Sequence, residues 1–111
     1  MSERKKNLAA ALKGLGANKK IIAKTLAAKK IKGIPCDVNN CPIATYIKKL
    51  FPKTTVEVYD SVIIFFKDKE KVRVKLSVAI DAFMEDFDDG KYPELVKPSW
   101  KKEHYLEVYE E

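Results

Sequence analysis

The chain has one histidine, His104, two cysteines and two arginines, Arg4 and Arg73, in 111 residues. A lone imidazole with no Ser or Cys nucleophile motif beside it gives little material for acid–base or covalent catalysis. The four glycines build no glycine-rich phosphate loop. No apolar run approaches the ~20 residues of a membrane span. The basic start, MSERKKN, is not followed by a secretory apolar stretch. These absences argue for a cytoplasmic, non-enzymatic protein with no place in a membrane.

The two cysteines, Cys36 and Cys41, are spaced C-x4-C. A zinc site wants four ligands, commonly with a second ligand pair elsewhere. Only His104 is left to join them, so neither a metal nor a cofactor is expected. A disulfide is disfavoured in the cytoplasm. Both thiols are expected to pack as small buried groups. A redox-sensing pair would need a depressed thiol pKa. The acidic cluster Asp81, Glu85, Asp86, Asp88 and Asp89 does not match an EF-hand loop and reads as a solvated helix face.

What the chain does have is an ordinary apolar fraction of 46% and a length that suits one domain, 1–111. Residues 1–53 form a basic helical half, 54–90 a β-meander with a helix, and 91–111 a C-terminal strap and helix. Charge divides along the same line. Residues 1–53 hold 13 Lys and Arg against 2 Asp and Glu, a net of +11; residues 54–111 hold 9 against 14, a net of −5. A polarity of this kind suits an anionic partner.

The central stretch 56–87 is the one finished core unit. Val56 and Val58 alternate with Glu57 and Tyr59, as a half-buried strand does. Asp60 and Ser61 form turns. Residues 62–66 are a continuous apolar run suited to a strand covered on both faces. Charged residues 67–71 should be a hairpin loop, followed by Val72, Val74 and Leu76 in alternation. Ser77 caps a helix whose Ile80, Phe83, Met84 and Phe87 fall on one stripe, and Gly90 stops it. Ile64, Phe83 and Phe87 are expected to matter most to stability.

Before that stretch, 3–13 is a helix ended by Gly14-Leu15-Gly16. Asn18 caps a second helix over 19–32, stopped by Gly33. It is an Ala/Lys helix without the Trp or Phe anchors of a membrane-surface helix. Residues 33–40 are a loop. Asn40 caps a third helix over 41–51, with Pro42 in its first turn and Ile43, Tyr46 or Ile47, and Leu50 as its core stripe. After Gly90, Tyr92, Leu95 and Trp100 tuck in under a strap, and Ser99 caps a last helix over 100–109; the alternation in 104–109 equally permits a strand.

Three helices followed by strands with a charged hairpin tip also permit a winged helix-turn-helix. In that arrangement the third helix offers Asn39, Asn40, Thr45, Lys48 and Lys49 to DNA, and 67–73 is the wing. The eight-residue connection between helices two and three is long for that motif. Arginine, the commonest base-reading side chain, is scarce, so phosphate contact should dominate over base reading.

The segments CPIATYI (41–47) and FDDGKYPEL (87–95) are similar to short motifs in small uncharacterised proteins of bacteria and their phages, across about 33–95. The resemblance implies a compact cellular or phage-borne domain and no functional residues.

The expected fold is therefore α+β: a basic helical half packed on a three-stranded antiparallel meander plus an amphipathic helix. The expected function is non-catalytic nucleic-acid binding through Lys24, Lys29, Lys30, Lys32, Asn40, Thr45, Lys48 and Lys49. The alternative is a protein-interaction module or inhibitor, a phage or host regulator that docks on an acidic protein surface. In that case the acidic tail 103–111 could instead meet a basic partner or a second copy of the chain.

Overall fold

Alternating valines build the sheet. Strands β1 (Thr55–Tyr59), β2 (Val62–Lys67) and β3 (Glu70–Lys75) pair antiparallel in that order. The register sets Val56, Phe65 and Val72 side by side, and likewise Val58, Ile63 and Val74. Cross-strand neighbours on one face are the unit of sheet stability, and these two rows are the sheet's share of the core. The computed structural model describes residues 3–67 and 69–98. The expectations for Trp100, the helix or strand over 100–109, His104 and the acidic tail lie outside them.

Among the described residues four helices supply the other half of the core: α1 (Glu3–Lys13), α2 (Lys19–Ala28), α3 (Pro42–Leu50) and α4 (Val78–Asp88). A 3-10 turn, Pro93–Leu95, follows α4. The architecture is α+β, as the periodicities predict. α1 packs against β3, α3 against β1, and α2 against α4 and the 3-10 turn. Leu8, Ile22, Leu26, Ile43, Ile47, Phe83 and Phe87 are fully buried, each worth ~1.5–3 kcal/mol by area removed from water. The Tyr46 hydroxyl donates to the Ala11 carbonyl at 3.0 Å and ties α3 to α1. Tyr92 stacks on Phe83 at 5.1 Å between ring centroids, and Leu95 is buried, so this part of the strap lies where expected.

Several local expectations need correction. α2 ends at Ala28, four residues early, because the chain turns left-handed at Lys30 (φ 58°). The Lys30 N–H then donates to Ala27 O and the Ile31 N–H to Leu26 O, a Schellman closure with Ile31 and Leu26 both buried. Gly33 does not stop the helix. Its N–H and C=O bond to Leu95 and Lys97, and a Cβ there would sit 2.3 Å from the Pro42 nitrogen. The cap of α3 is Cys41, whose Sγ accepts from the Ala44 N–H at 3.4 Å, and not Asn40. Leu50, placed in the core stripe, is 49% exposed. Cys36 is exposed, not packed. Residues 67, 70 and 71 belong to strands, so the hairpin is tighter than a five-residue loop. Ile64 is buried as expected, but on the opposite face of the sheet from the two core rows and outside the main cluster. Asp86 is buried rather than solvated.

Candidate nucleic-acid interface

α2 is the element on which the basic half is displayed. Asn18 Oδ1 accepts from the Ile21 N–H at 3.0 Å and starts the helix. Ile22 and Leu26 bury one narrow stripe against α4. The lysines therefore take the rest of the cylinder. Lys20, Lys24, Lys29, Lys30 and Lys32 are all exposed. Among the described residues none of these five is paired with a carboxylate. Lys19 differs: its Nζ lies 2.8 Å from Asp86 Oδ2, and Lys91 Nζ lies 3.1 Å from the other oxygen. The hydrogen bonds from the two ammonium groups hold the Asp86 carboxyl below its ordinary range. The same bond raises the Lys19 ammonium.

The remaining candidates sit on or before α3, and the structure uses most of them internally. Asp37 Oδ1 accepts from the Asn39 and Asn40 N–H groups at 3.1 Å, an Asx turn. The Asn40 side-chain amide also donates to the Asp37 carboxylate at 3.3 Å. Lys48 Nζ donates to the Asn39 carbonyl and reaches Asn40 Oδ1 at 3.5 Å. Thr45 is half-buried, and of the α3 candidates only Lys49 is exposed. Pro42, Ile43, Ala44, Tyr46 and Ile47 are buried, which leaves α3 little surface for entering a groove. α3 also packs on β1, while α2 packs on α4. The two helices that a helix-turn-helix would pair are thus engaged with different partners. The candidate residues fall into a displayed group on α2 and the turn after it, and a structural group around the α3 cap.

Neither cysteine has a lowered pKa. Burial pushes the Cys41 thiol up to about 11. Burial, then the neighbouring Asp88 and Asp89 carboxylates, also push the exposed Cys36 upward. An upward shift removes thiolate, the reactive form.

The acidic residues gather elsewhere. The loop before α3, the β1–β2 turn and α4 enclose a cleft of about 550 Å³ lined by Asp37, Asp60, Asp81, Glu85, Asp88 and Asp89. Some of these carboxylates are structural. Asp81 accepts from the Ser61 N–H and hydroxyl at 3.0 Å, pinning the β-turn to α4. Asp88 Oδ1 accepts from the Cys36 N–H at 2.9 Å, pinning the loop. Burial, and then Asp60 and Asp89, raise the Asp88 carboxyl despite that bond. Among the described residues no three His, Cys, Asp or Glu side chains come together as a metal site would need.

One cationic surface lies outside the expected site residues. Lys71, Arg73 and Lys75 alternate with the core valines of β3, so they share the sheet face away from the helices. The alternation that identifies the core carries this signal too, but only once residue 71 is counted in the strand. Among the described residues no helix is long and apolar enough to cross a membrane. No family model, curated protein or solved structure matches this chain.

Proposed function

We propose that the protein binds nucleic acid without catalysis, holding the phosphate backbone with the lysines of α2 and the turn that follows it. The observation that carries this reading is the placement of those lysines. Five are exposed and free of described carboxylate partners, while six acidic side chains are collected into a separate cleft. Segregated charge of this kind focuses a positive potential on one surface and draws polyanions to it. Lys24, Lys29, Lys30 and Lys32 are the principal contacts, with Lys20 added by the geometry; Lys49 is peripheral. Asn40 and Lys48 act indirectly, by holding the loop that leads into α3, and the half-buried Thr45 is peripheral.

Binding to a labelled duplex, measured by gel shift across a salt series, tests this. Each phosphate neutralised contributes about −0.9 to the slope of log K against log salt. Reversing Lys29, Lys30 and Lys32 to Glu is expected to weaken binding equally on unrelated sequences and to flatten that slope by roughly 2.7. The reading fails if duplex and single-stranded probes both go unbound at low salt, or if the triple reversal leaves affinity unchanged. Retention of one acidic protein from a lysate, with no nucleic-acid binding, would put a protein-docking module in its place.

A further inference from the structure

The face of the sheet turned away from the helices has a regular chemistry. Three cross-strand rows lie on it: Thr55–Phe66–Lys71, Glu57–Ile64–Arg73 and Tyr59–Val62–Lys75. In every row the central strand contributes an apolar side chain and β3 contributes a cation. Val62, Ile64 and Phe66 lie outside the main core cluster; Ile64 is buried between its neighbours, and Val62 and Phe66 are half-buried. Lys71, Arg73 and Lys75 are exposed, and so is Tyr59, at 43%. Lys71 Nζ lies over the Phe66 ring, 5.7 Å from its centroid, which identifies a ring face already meeting positive charge.

Alternate residues of a strand repeat every ~6.8 Å. The three β3 cations therefore form a straight, evenly spaced rail beside an apolar and aromatic strip. That pairing is what an extended single strand of nucleic acid requires: cations along the backbone, and flat side chains on which bases stack. A duplex fits poorly. The major groove, ~12 Å wide, admits a helix or a two-stranded ribbon, and three strands spaced ~4.8 Å apart present too broad a face.

We propose that this sheet face is a second nucleic-acid surface, one that takes single strands, with Lys71, Arg73 and Lys75 on the phosphates and Phe66 and Tyr59 under the bases. It is distinct from the α2 surface and does not depend on it. The alternation of β3 makes the cations specific to this face, because shifting the register by one would bury them.

The test uses the full chain and two labelled probes, an oligothymidylate and a duplex of equal length, read by fluorescence anisotropy. Three variants are compared: Phe66→Leu; Lys71→Gln with Arg73→Gln and Lys75→Gln; and the α2 reversal of Lys29, Lys30 and Lys32 to Glu. Phe66→Leu is expected to weaken oligothymidylate binding roughly tenfold, the loss of one stacked base. The β3 triple variant is expected to flatten the single-strand salt slope by about 2, at ~0.7 per phosphate. Both should leave duplex binding within twofold of the parent. Because the β3 substitutions are on exposed side chains, they also provide a readout that does not depend on how Phe66→Leu folds. The proposal is overturned if the oligothymidylate does not bind at low salt. It is also overturned if the β3 triple variant binds the oligothymidylate as the parent does, or loses duplex and single strand alike. The α2 reversal reports separately: an unchanged duplex affinity there sinks the α2 reading and leaves the sheet-face result standing on its own.

Discussion

Two helices of this chain end in the same hydrogen-bond pattern with different residues at the turning point. α4 closes through Gly90 (φ 85°), with the Gly90 N–H on Phe87 O and the Lys91 N–H on Asp86 O. α2 closes through Lys30 (φ 58°). A left-handed backbone costs an L-residue ~1–2 kcal/mol, part of which glycine returns as lost chain entropy. Lys30→Gly is therefore expected to stabilise the protein by about 0.5–1 kcal/mol, seen in urea unfolding as a higher midpoint at unchanged m. Gly33→Ala should do the reverse, losing about 1–3 kcal/mol, because the new methyl meets the backbone of Cys41 and Pro42. Glycine is the usual stop signal, which points to Gly33 as the end of α2. The boundary coincides with the burial of both Ile31 and Leu26 around the left-handed Lys30, which residue type alone does not announce. Asp86 was hidden in the same way: it looks like any acid of its cluster until Lys19 and Lys91 are seen beside it. Its carboxyl is held below the ordinary value of 3.8, so it adds stability above that pH and loses it as the pH falls through the lower folded value. Asp86→Asn should therefore lower Tm at neutral pH, and the two Tm curves should converge below pH 3.8. Asp88 opposes this in the parent, since its raised carboxyl disfavours the charged form.

At the scale of elements, period-2 and period-3.6 patterns are enough to find the three described strands and the stripe of α4. They are not enough to say which sheet face each helix covers. Ile63 and Ile64 are neighbours in one apolar run, yet Ile63 faces the helices and Ile64 faces Glu57 and Arg73 across the strands. An aspartate at position 63 would be a charge buried without a partner, and Ile63→Asp, like Phe83→Asp, should abolish the cooperative thermal transition. Ile64→Asp places its carboxylate beside the Arg73 rail and should retain a transition at lower temperature. Equal loss in both variants would show the two faces to be equally sealed. α3 is the instructive case at this scale. Its capping pattern read correctly to within one residue. The Asn and Lys side chains that suit DNA on paper already have partners within the fold: Asn39 donates to the Val56 carbonyl, Asn40 to the Asp37 carboxylate and Lys48 to the Asn39 carbonyl.

For the whole molecule, the disposition of lysine on α2 sets local stability against charge display. Lys19 and Lys20 occupy the first turn of α2, which contains no acidic residue. The N-terminus of a helix carries a partial positive charge and prefers anions, by ~0.3–1 kcal/mol per charge. Lys20 and Lys24 are also one turn apart, a spacing at which like charges repel. Lys19 is compensated by Asp86; Lys20 has no described carboxylate partner, and Lys30 takes a conformation that lysine disfavours. Stability alone would choose an acid in place of Lys20 and a glycine in place of Lys30, and the chain places cations at both. A surface that keeps positive charge against the preferences of its own backbone is suited to meeting negative charge from outside. Lys20→Glu separates the two demands. It puts an acid at the positive end of α2, one turn before Lys24 and in the favourable orientation for an ion pair with it. Stability should therefore rise by about 0.5–1 kcal/mol. The same change removes one cation from the α2 surface and adds an anion, so duplex affinity at low salt should fall several-fold and its salt slope should shrink by about 0.9. Urea unfolding and the duplex titration, run on one preparation, check both halves. A variant that gains stability and binds duplex as the parent does would show that these lysines are not where nucleic acid is held.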